Sequence, residues 1–201
     1  GNFKGFHFTY RTGCSNVIKT MSGSFASPGN SIVPYPKSRI CTWTLESPNG
    51  EPLTLFFGRF DVDFSDHVQV FAGASDRGLA LHPSTGFHGA RAPPVPMVGP
   101  AGLLFVRFIS SSAQSGLGWS ATFSVDCPAL KVDRHAVLST NTSRFASIVT
   151  VTCDNGYHFN SLPTGPRFFV MECLSGGRWN VTSVPECKEI YCGPVRPVAN
   201  A

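Results

Sequence analysis

One short pattern occurs twice in this chain of 201 residues. Residues 5–10 read GFHFTY and are followed four positions later by Cys14. Residues 118–123 read GWSATF and are followed at the same spacing by Cys127. Alternating side chains between two aromatic residues, just ahead of a cysteine, indicate a β-strand and its exit. Because the copies lie 113 positions apart, we expect modules of that length, with residues 1–13 as the last strand of a preceding module.

The composition favours strands and turns over helices. The chain has 20 glycines and 16 prolines, which supply many turns, and 17 phenylalanines, which favour sheet. Charged residues make up only 14% of the chain, and the basic ones are scattered singly. The net charge of +4 therefore does not indicate a nucleic-acid partner. No apolar run approaches the roughly 20 residues that span a bilayer, so we expect no membrane span in this segment.

The cysteines indicate an oxidising compartment. No two of the seven are closer than five positions, so the close pairs typical of cytosolic metal sites are missing from the sequence. Wide spacing favours structural disulfides. Two N-glycosylation sequons begin at Asn141 and Asn180. We therefore expect an extracellular glycoprotein, either secreted or the ectodomain of a membrane protein.

Residues 14–126 have the pattern of an all-β sandwich. Densely apolar runs and alternating runs are separated by turn-rich stretches; they lie at 41–45, 53–57, 68–71, 103–109 and 119–125. These runs supply enough apolar side chains for a core of their own.

The same segment resembles a CUB module, the jelly-roll β-sandwich of extracellular mosaic proteins. The resemblance rests on GSFASPG at 23–29, YP at 35–36, CTW at 41–43, FDVD at 60–63, DHVQVFAG at 66–73, VRF at 106–108 and GWSA at 118–121. It implies a disulfide between Cys14 and Cys41. Many CUB modules have a second disulfide, and its two positions hold Phe64 and His88 here. The core must then hold that edge without a second disulfide.

Residues 127–187 resemble a sushi module, also called a complement control protein repeat. CDNGY at 153–157 matches C-x-x-G-Y, and CLSGGRW at 173–179 matches C-x-x-x-G-x-W. Four cysteines allow three pairings. The resemblance selects Cys127–Cys173 and Cys153–Cys187, with Trp179 packed between them. The expected fold class is thus a CUB jelly-roll sandwich followed by a small disulfide-stapled sushi β-module.

Residues 188–201 are expected to form a linker and the start of a further sushi module. CGPVRPVANA at 192–201 looks like the opening of such a module. This places the disulfide partner of Cys192 past residue 201. The alternative for Cys192 is a free thiol.

Asp61, Asp63 and Asp66 form the main acidic cluster. Resemblance to CUB modules implies calcium ligands at Asp63 and Asp66 and in the loop after the VRF strand. That third position is Ser111, which brings no charge, whereas calcium takes about six to eight oxygen ligands. The connection between Asp63 and Asp66 is also shorter than is usual in the family. We therefore expect no cofactor, with calcium at Asp63 and Asp66 as the alternative to a solvated acidic turn.

Other chemical signals are weak. His82 and His88 lie six positions apart without a cysteine or acid that would complete a zinc site. Neither a G-x-S-x-G nor an H-E-x-x-H motif occurs, so we expect no enzyme activity in this segment. Adjacent phenylalanines at 56–57 and 168–169 put one ring on each face of a strand. The alternatives for these pairs are burial within the core and cover by a neighbouring module or partner.

The modules together predict a non-catalytic extracellular binding or adhesion segment of a larger CUB/sushi mosaic protein. Its partners would be other extracellular proteins or glycans, engaged multivalently, and neighbouring modules of the same chain. Two alternatives stay open: the regulatory or assembly region of a complement-like modular serine protease, and a structural component of an extracellular coat or filament. A CUB module directly after another, without an EGF-like module between them, departs from the protease layout.

Overall fold

The chain folds entirely into strands and turns. A computed structural model describes residues 14–29, 32–113, 115–160, 162–191 and 193. These residues form fifteen strands and contain no helix, and the all-β prediction is confirmed. Among them, no helix exists that has the length and apolar character to cross a membrane. The strand expected within residues 1–13 and the thiol of Cys192 lie outside the described residues.

The chain divides into two compact units, with the boundary between Val125 and Asp126. Nine strands belong to the first unit: β1 (Ser15–Lys19), β2 (Ser22–Ala26), β3 (Arg39–Glu46), β4 (Leu53–Asp61), β5 (His67–Ala72), β6 (Leu79–Ala80), β7 (Met97–Gly99), β8 (Leu103–Ser110) and β9 (Gly118–Val125). One sheet has the order β1-β3-β8-β5-β6 and the other the order β2-β9-β4-β7. Neighbouring strands are antiparallel except β1 and β3, which are parallel.

The core of the first unit lies between these two sheets, where alternate side chains of both turn inward. Trp119 of β9 is fully buried. Its ring lies 5.1 Å from that of Trp43 in β3 and 5.5 Å from those of Phe25 and Phe57. Such edge-to-face contacts add to the free energy of burial. The alternation at 41–45 and 119–125 thus reflects two strands that face each other across the sandwich.

Strand β4 departs from simple alternation. Its register with β9 shifts between Phe57 and Phe60, as in a β-bulge, which inserts an extra residue into one strand. The rings of Phe57 and Phe60 are both buried and lie 5.6 Å apart. The amide of Arg59 donates to the Ser120 hydroxyl at 3.2 Å within the irregular stretch. Of the adjacent phenylalanines, Phe57 belongs to the core and Phe56 is half-buried.

The second unit is smaller. Its strands are β10 (Ala136–Leu138), β11 (Ile148–Cys153), β12 (Tyr157–His158), β13 (Phe168–Leu174), β14 (Arg178–Trp179) and β15 (Lys188–Glu189). The order β10-β11-β13-β14 forms an antiparallel sheet, and β12 pairs with β15. Val149, Val151 and Met171 are its buried aliphatic and thioether side chains. The ring of Phe169 packs 5.0 Å from that of Phe159, whereas Phe168 is 62% exposed.

Each of three disulfides joins a cysteine in a strand to a cysteine outside the strands. They are Cys14–Cys41, Cys127–Cys173 and Cys153–Cys187. The last two lie in the second unit. A unit of this size has a small core and usually depends on disulfides for its stability. Trp179 is half-buried rather than enclosed, lies opposite Cys173 and donates from Nε1 to the carbonyl of Pro128 at 2.9 Å.

Candidate functional site

Three loops meet at one end of the first unit. The loop between β2 and β3 brings Tyr35, the loop between β4 and β5 brings Asp63, Ser65 and Asp66, and the chain leaving β8 brings Ser111. Hydrogen bonds join all five residues. We call these five residues the loop-end cluster.

Asp66 is the centre of the loop-end cluster and is fully buried. Its Oδ2 accepts a hydrogen bond from the Tyr35 hydroxyl. Its Oδ1 accepts from the amide of Ser111 at 2.6 Å and lies 3.4 Å from Oγ of Ser65. Burying a carboxylate is costly unless donors compensate it. Asp66 therefore acts as a common acceptor that connects three loops.

Tyr35 supplies the most deeply buried of these donors. Its side chain is 2% exposed and its ring packs edge-on against Phe108 at 4.9 Å. Its Oη also accepts the amide proton of Asp63 at 3.0 Å. Burial and then the bond to Asp66 raise the pKa of Tyr35 to about 12. The hydroxyl therefore keeps its proton at neutral pH and remains a donor to Asp66.

Ser65 connects the two acids. Its amide and hydroxyl donate to Oδ1 of Asp63 at 2.9 Å and 2.7 Å, and its hydroxyl lies 2.8 Å from Oγ of Ser111. An aspartate that accepts the amide two residues ahead closes a local turn. The backbone and side-chain bonds from Ser65 lower the pKa of Asp63. Asp63 is thus an ionised acid held in a defined orientation.

The donors and acceptors of this cluster do not fit a calcium ion. Calcium takes about six to eight oxygens, typically several of them from carboxylates. The cluster has two carboxylates, and each oxygen of Asp66 accepts a protein hydrogen bond, which takes up part of its lone-pair capacity. Over the described ranges, no group of three His, Cys, Asp or Glu side chains is placed to hold a metal. Asp63 and Asp66 do lie together, but as acceptors of hydrogen bonds.

Asp61, the third acid of the acidic cluster in the sequence, makes its hydrogen bond outside the loop-end cluster. Oδ2 of Asp61 accepts the amide of Leu117 at 2.7 Å. This bond joins the end of β4 to the segment that enters β9. Asp61 therefore stabilises a neighbouring loop and is not an additional ligand beside Asp63 and Asp66.

Phe64 and His88, the two positions that hold cysteines in many CUB modules, contact each other near the loop-end cluster. The rings of Phe64 and His88 lie 5.3 Å apart, and the ring of His67 lies 6.0 Å from that of His88. His82 instead packs against Phe71, with ring centroids 4.9 Å apart. These histidines make aromatic contacts and, in the described part of the chain, do not join a metal-ligating group.

Both sequon asparagines are exposed on the second unit. Asn141 lines a shallow depression of about 170 Å³, smaller than the roughly 300–1,000 Å³ of most ligand pockets. Oδ1 of Asn180 accepts a hydrogen bond from the backbone N–H of Glu172 at 3.1 Å. The backbone N–H of Asn180 donates to the Glu172 carbonyl at 2.9 Å. Neither bond uses Nδ2, the atom to which a glycan is attached.

Sequence reasoning did not identify Tyr35 and Ser65 as members of this site. Tyr35 lies 31 positions from Asp66, and no periodic pattern connects the two. The Tyr35-Pro36 pair was the available signal, because proline favours an extended backbone at the residue before it. For Ser65 the signal was its place two residues after Asp63, which is typical of an aspartate-capped turn.

Comparison with known proteins identifies both modules. The CUB domain model matches residues 14–123, and the sushi repeat (SCR repeat) model matches residues 127–187. Mannan-binding lectin serine protease 1 of Homo sapiens is 28% identical over 192 residues, which cover 92% of this chain and 27% of that protein. Complement C1s subcomponent of Bos taurus is 25% identical over 198 residues, covering 92% of this chain and 28% of that protein. The chain therefore spans about a quarter of the length of these relatives.

Among solved structures, the MASP-1 CUB2 domain bound to Ca²⁺ is similar. It is 24% identical with a TM-score of 0.47, and the match covers 55% of this chain and 97% of that domain.

Proposed function

This chain belongs to the CUB domain family and has a sushi repeat after its CUB domain, and from that premise we propose that it is a non-catalytic extracellular segment that binds other proteins or glycans. The observation that carries the proposal is the coverage of the two matches, which together take in residues 14–123 and 127–187. The matched residues thus consist of modules that serve as binding scaffolds, and their particular ligand depends on surface residues.

The exposed face of the sheet in the second unit supports a binding role. Phe168, Val170 and Ile148 are 62%, 49% and 62% exposed. The register of β11 and β13 places these three side chains on the same face, and Val137 of β10 continues it. Thr150, Thr152 and Glu172 lie between them on that face, and exposed apolar side chains grouped in this way can form an interaction surface. Several such weak contacts along an array of modules would sum through effective concentration.

The chemistry of the two units supports an extracellular location for this segment. Three disulfides need an oxidising compartment to form and persist. Asn141 and Asn180 are exposed, as glycan acceptors must be. Glycopeptide mass spectrometry of the chain secreted from mammalian cells should find a glycan on at least one of them. Unmodified peptides at both positions would show that neither sequon is used and would contradict the assignment of this segment as a glycoprotein.

A second candidate function is the assembly region of a modular serine protease. One specific observation favours it: the similarity to mannan-binding lectin serine protease 1 runs over 192 residues and takes in both modules. In this alternative, the segment would dock the protease onto a recognition protein. The name of that relative suggests mannan-binding lectin as the probe.

Two binding measurements separate these functions. The secreted chain, as a monomer and as an Fc-fused dimer, is applied to arrays of extracellular proteins and glycans and, separately, to immobilised mannan-binding lectin. A saturable signal on the arrays, stronger for the dimer, supports multivalent binding. Saturable binding to mannan-binding lectin supports the assembly function. If neither surface retains the dimer above a denatured control, the binding proposal is wrong.

The same assay maps the surface. Phe168→Ser with Val170→Ser removes the two apolar side chains that β13 places on this face, without touching the buried residues of the second unit. Val17→Ser is a matched control on the other unit, because Val17 is 72% exposed. Loss of binding in the first variant alone would assign the contact to the sushi sheet.

A further inference from the structure

Hydrogen bonds join the five residues of the loop-end cluster in the first unit. We propose that hydrogen bonds to Asp66 take the place of a divalent cation at this end of the sandwich, and that Ser111 is the residue that makes this arrangement possible. The loops would then keep their positions in the absence of calcium.

Asp66 has a hydrogen-bond donor on each of its carboxylate oxygens. Its side chain is fully buried, so its charge must be compensated inside the protein. Compensation comes from the Tyr35 hydroxyl on one oxygen and from the Ser111 amide, at 2.6 Å, on the other. Both donors are neutral. Asp66 therefore has its partners without a cation.

Ser111 makes hydrogen bonds to three other residues. Its amide faces Asp66, its hydroxyl lies 2.8 Å from Oγ of Ser65, and its carbonyl accepts the amide of Ser38 at 2.8 Å. The backbone is thus held on both sides of the residue. A side chain at this position reaches the hydroxyl that also binds Asp63.

The charge of the side chain at position 111 affects both neighbouring acids. A carboxylate at position 111 would lie beside Asp66 and close to Asp63, and three acids at such a distance repel each other. A divalent cation would relieve that repulsion and could use all three carboxylates as hard oxygen ligands. A neutral serine avoids the repulsion and lets the hydrogen bonds suffice. The identity of residue 111 therefore decides whether this end of the module depends on a cation.

The test compares the full chain with Ser111→Asp, each melted in EDTA and in millimolar calcium chloride, with calorimetric calcium titrations alongside. The wild-type melting temperature should be the same in both buffers. Ser111→Asp should melt at a lower temperature in EDTA and recover in calcium, with measurable calcium heat. Ser112→Asp is the matched control, because Ser112 is exposed and adds the same charge next to the cluster; it should not respond to calcium.

Two results would overturn the proposal. One is a calcium-dependent rise in the wild-type melting temperature that disappears in Asp63→Asn, a variant that leaves the buried Asp66 intact. The other is a Ser111→Asp protein that folds but shows no calcium response beyond that of Ser112→Asp. If Ser111→Asp does not fold, the comparison of the wild-type chain with Asp63→Asn decides the question.

Discussion

The ring of Phe64 meets the ring of His88 edge-on, with centroids 5.3 Å apart. Phe64 is 76% exposed, and Nδ1 of His88 is buried without a hydrogen-bond partner. An aromatic contact of this kind contributes on the order of 1 kcal/mol. In many CUB modules the same two positions are joined by a disulfide, so a weak contact here occupies the place of a covalent one.

We predict that Phe64→Cys combined with His88→Cys forms a disulfide. The closed loop would hold about 25 residues, for which the expected stabilisation is roughly 3.5 kcal/mol. Intact mass under non-reducing conditions should show two free thiols fewer than the same variant after reduction. The melting temperature of the first unit should rise above that of wild type and lose this gain when reductant is added. The Phe64→Ser, His88→Ser protein controls for the loss of the rings. Two free thiols after oxidative refolding would contradict the prediction.

Alkaline pH should loosen the loop-end cluster through Tyr35. Its pKa is raised from 10.0 to about 12, so the folded state favours the neutral phenol. The resulting stability is fully present below pH 10 and is lost as the pH rises towards 12. Tyr35→Phe should remove most of this pH dependence while lowering stability at neutral pH, because Asp66 loses a donor.

Absorbance of the tyrosinate ion, recorded together with circular dichroism, checks this prediction. Tyr191→Phe is the control, because Tyr191 is 72% exposed. The prediction fails if the alkaline transition of Tyr35→Phe coincides with that of the wild-type chain.

Acid should act at the opposite end of the pH scale, on the turn between β3 and β4. The Ser47 hydroxyl and then the Asn49 side chain lower the pKa of Glu51 from 4.5 to about 2. Stability from these bonds is present above pH 4.5 and is lost as the pH falls towards 2. Glu51→Gln should therefore melt at a lower temperature than wild type at pH 7 and at the same temperature near pH 2.

Melting curves across this pH range measure the effect. Glu46→Gln, at the end of β3, removes one surface charge together with its ion pair to Lys19 and controls for the loss of a paired surface carboxylate. A constant difference between Glu51→Gln and wild type at all pH values would contradict the assigned hydrogen bonds.

The two units should differ in how much they depend on disulfides. Replacing Cys14 and Cys41 with alanine opens a loop of 27 residues and should cost about 3.5 kcal/mol. We expect the first unit to remain folded, because its two sheets enclose a large apolar core. Replacing Cys127 and Cys173 should cost about 4 kcal/mol and unfold the second unit, whose core is small.

Hydrogen exchange resolved by peptide is the appropriate measurement, since it reports each unit separately. Protection should vanish in β11 and β13 for the second variant and persist in β3 and β8 for the first. Retained protection in β11 would show that the small apolar core suffices on its own.

Much of the fold could be predicted because the strands that form it have strong local patterns. The apolar runs at 53–57, 68–71 and 103–109 became β4, β5 and β8, and the alternating run at 119–125 became β9. Alternation predicts which face is buried, since the period of a strand is two residues. The family resemblance added the identity of both modules.

The irregular features could not be predicted in this way. The bulge that buries both Phe57 and Phe60 breaks the period of two. Gly58 lies within it, and an isolated glycine inside a strand was the available signal for a bulge. The bond from Tyr35 to Asp66 depends on how two loops are placed in space. The role of Ser111 depends on its backbone amide, a group that every residue except proline carries, so the sequence gives no sign of it.

Strand β9 is the last strand of the first unit along the chain, yet it lies between β2 and β4 inside its sheet. During synthesis the sandwich therefore cannot close until Val125 has left the ribosome. Until then β2 and β4 each present an unpaired edge, which is prone to pair with other chains. Production of a chain that stops before Gly118 should consequently yield aggregates.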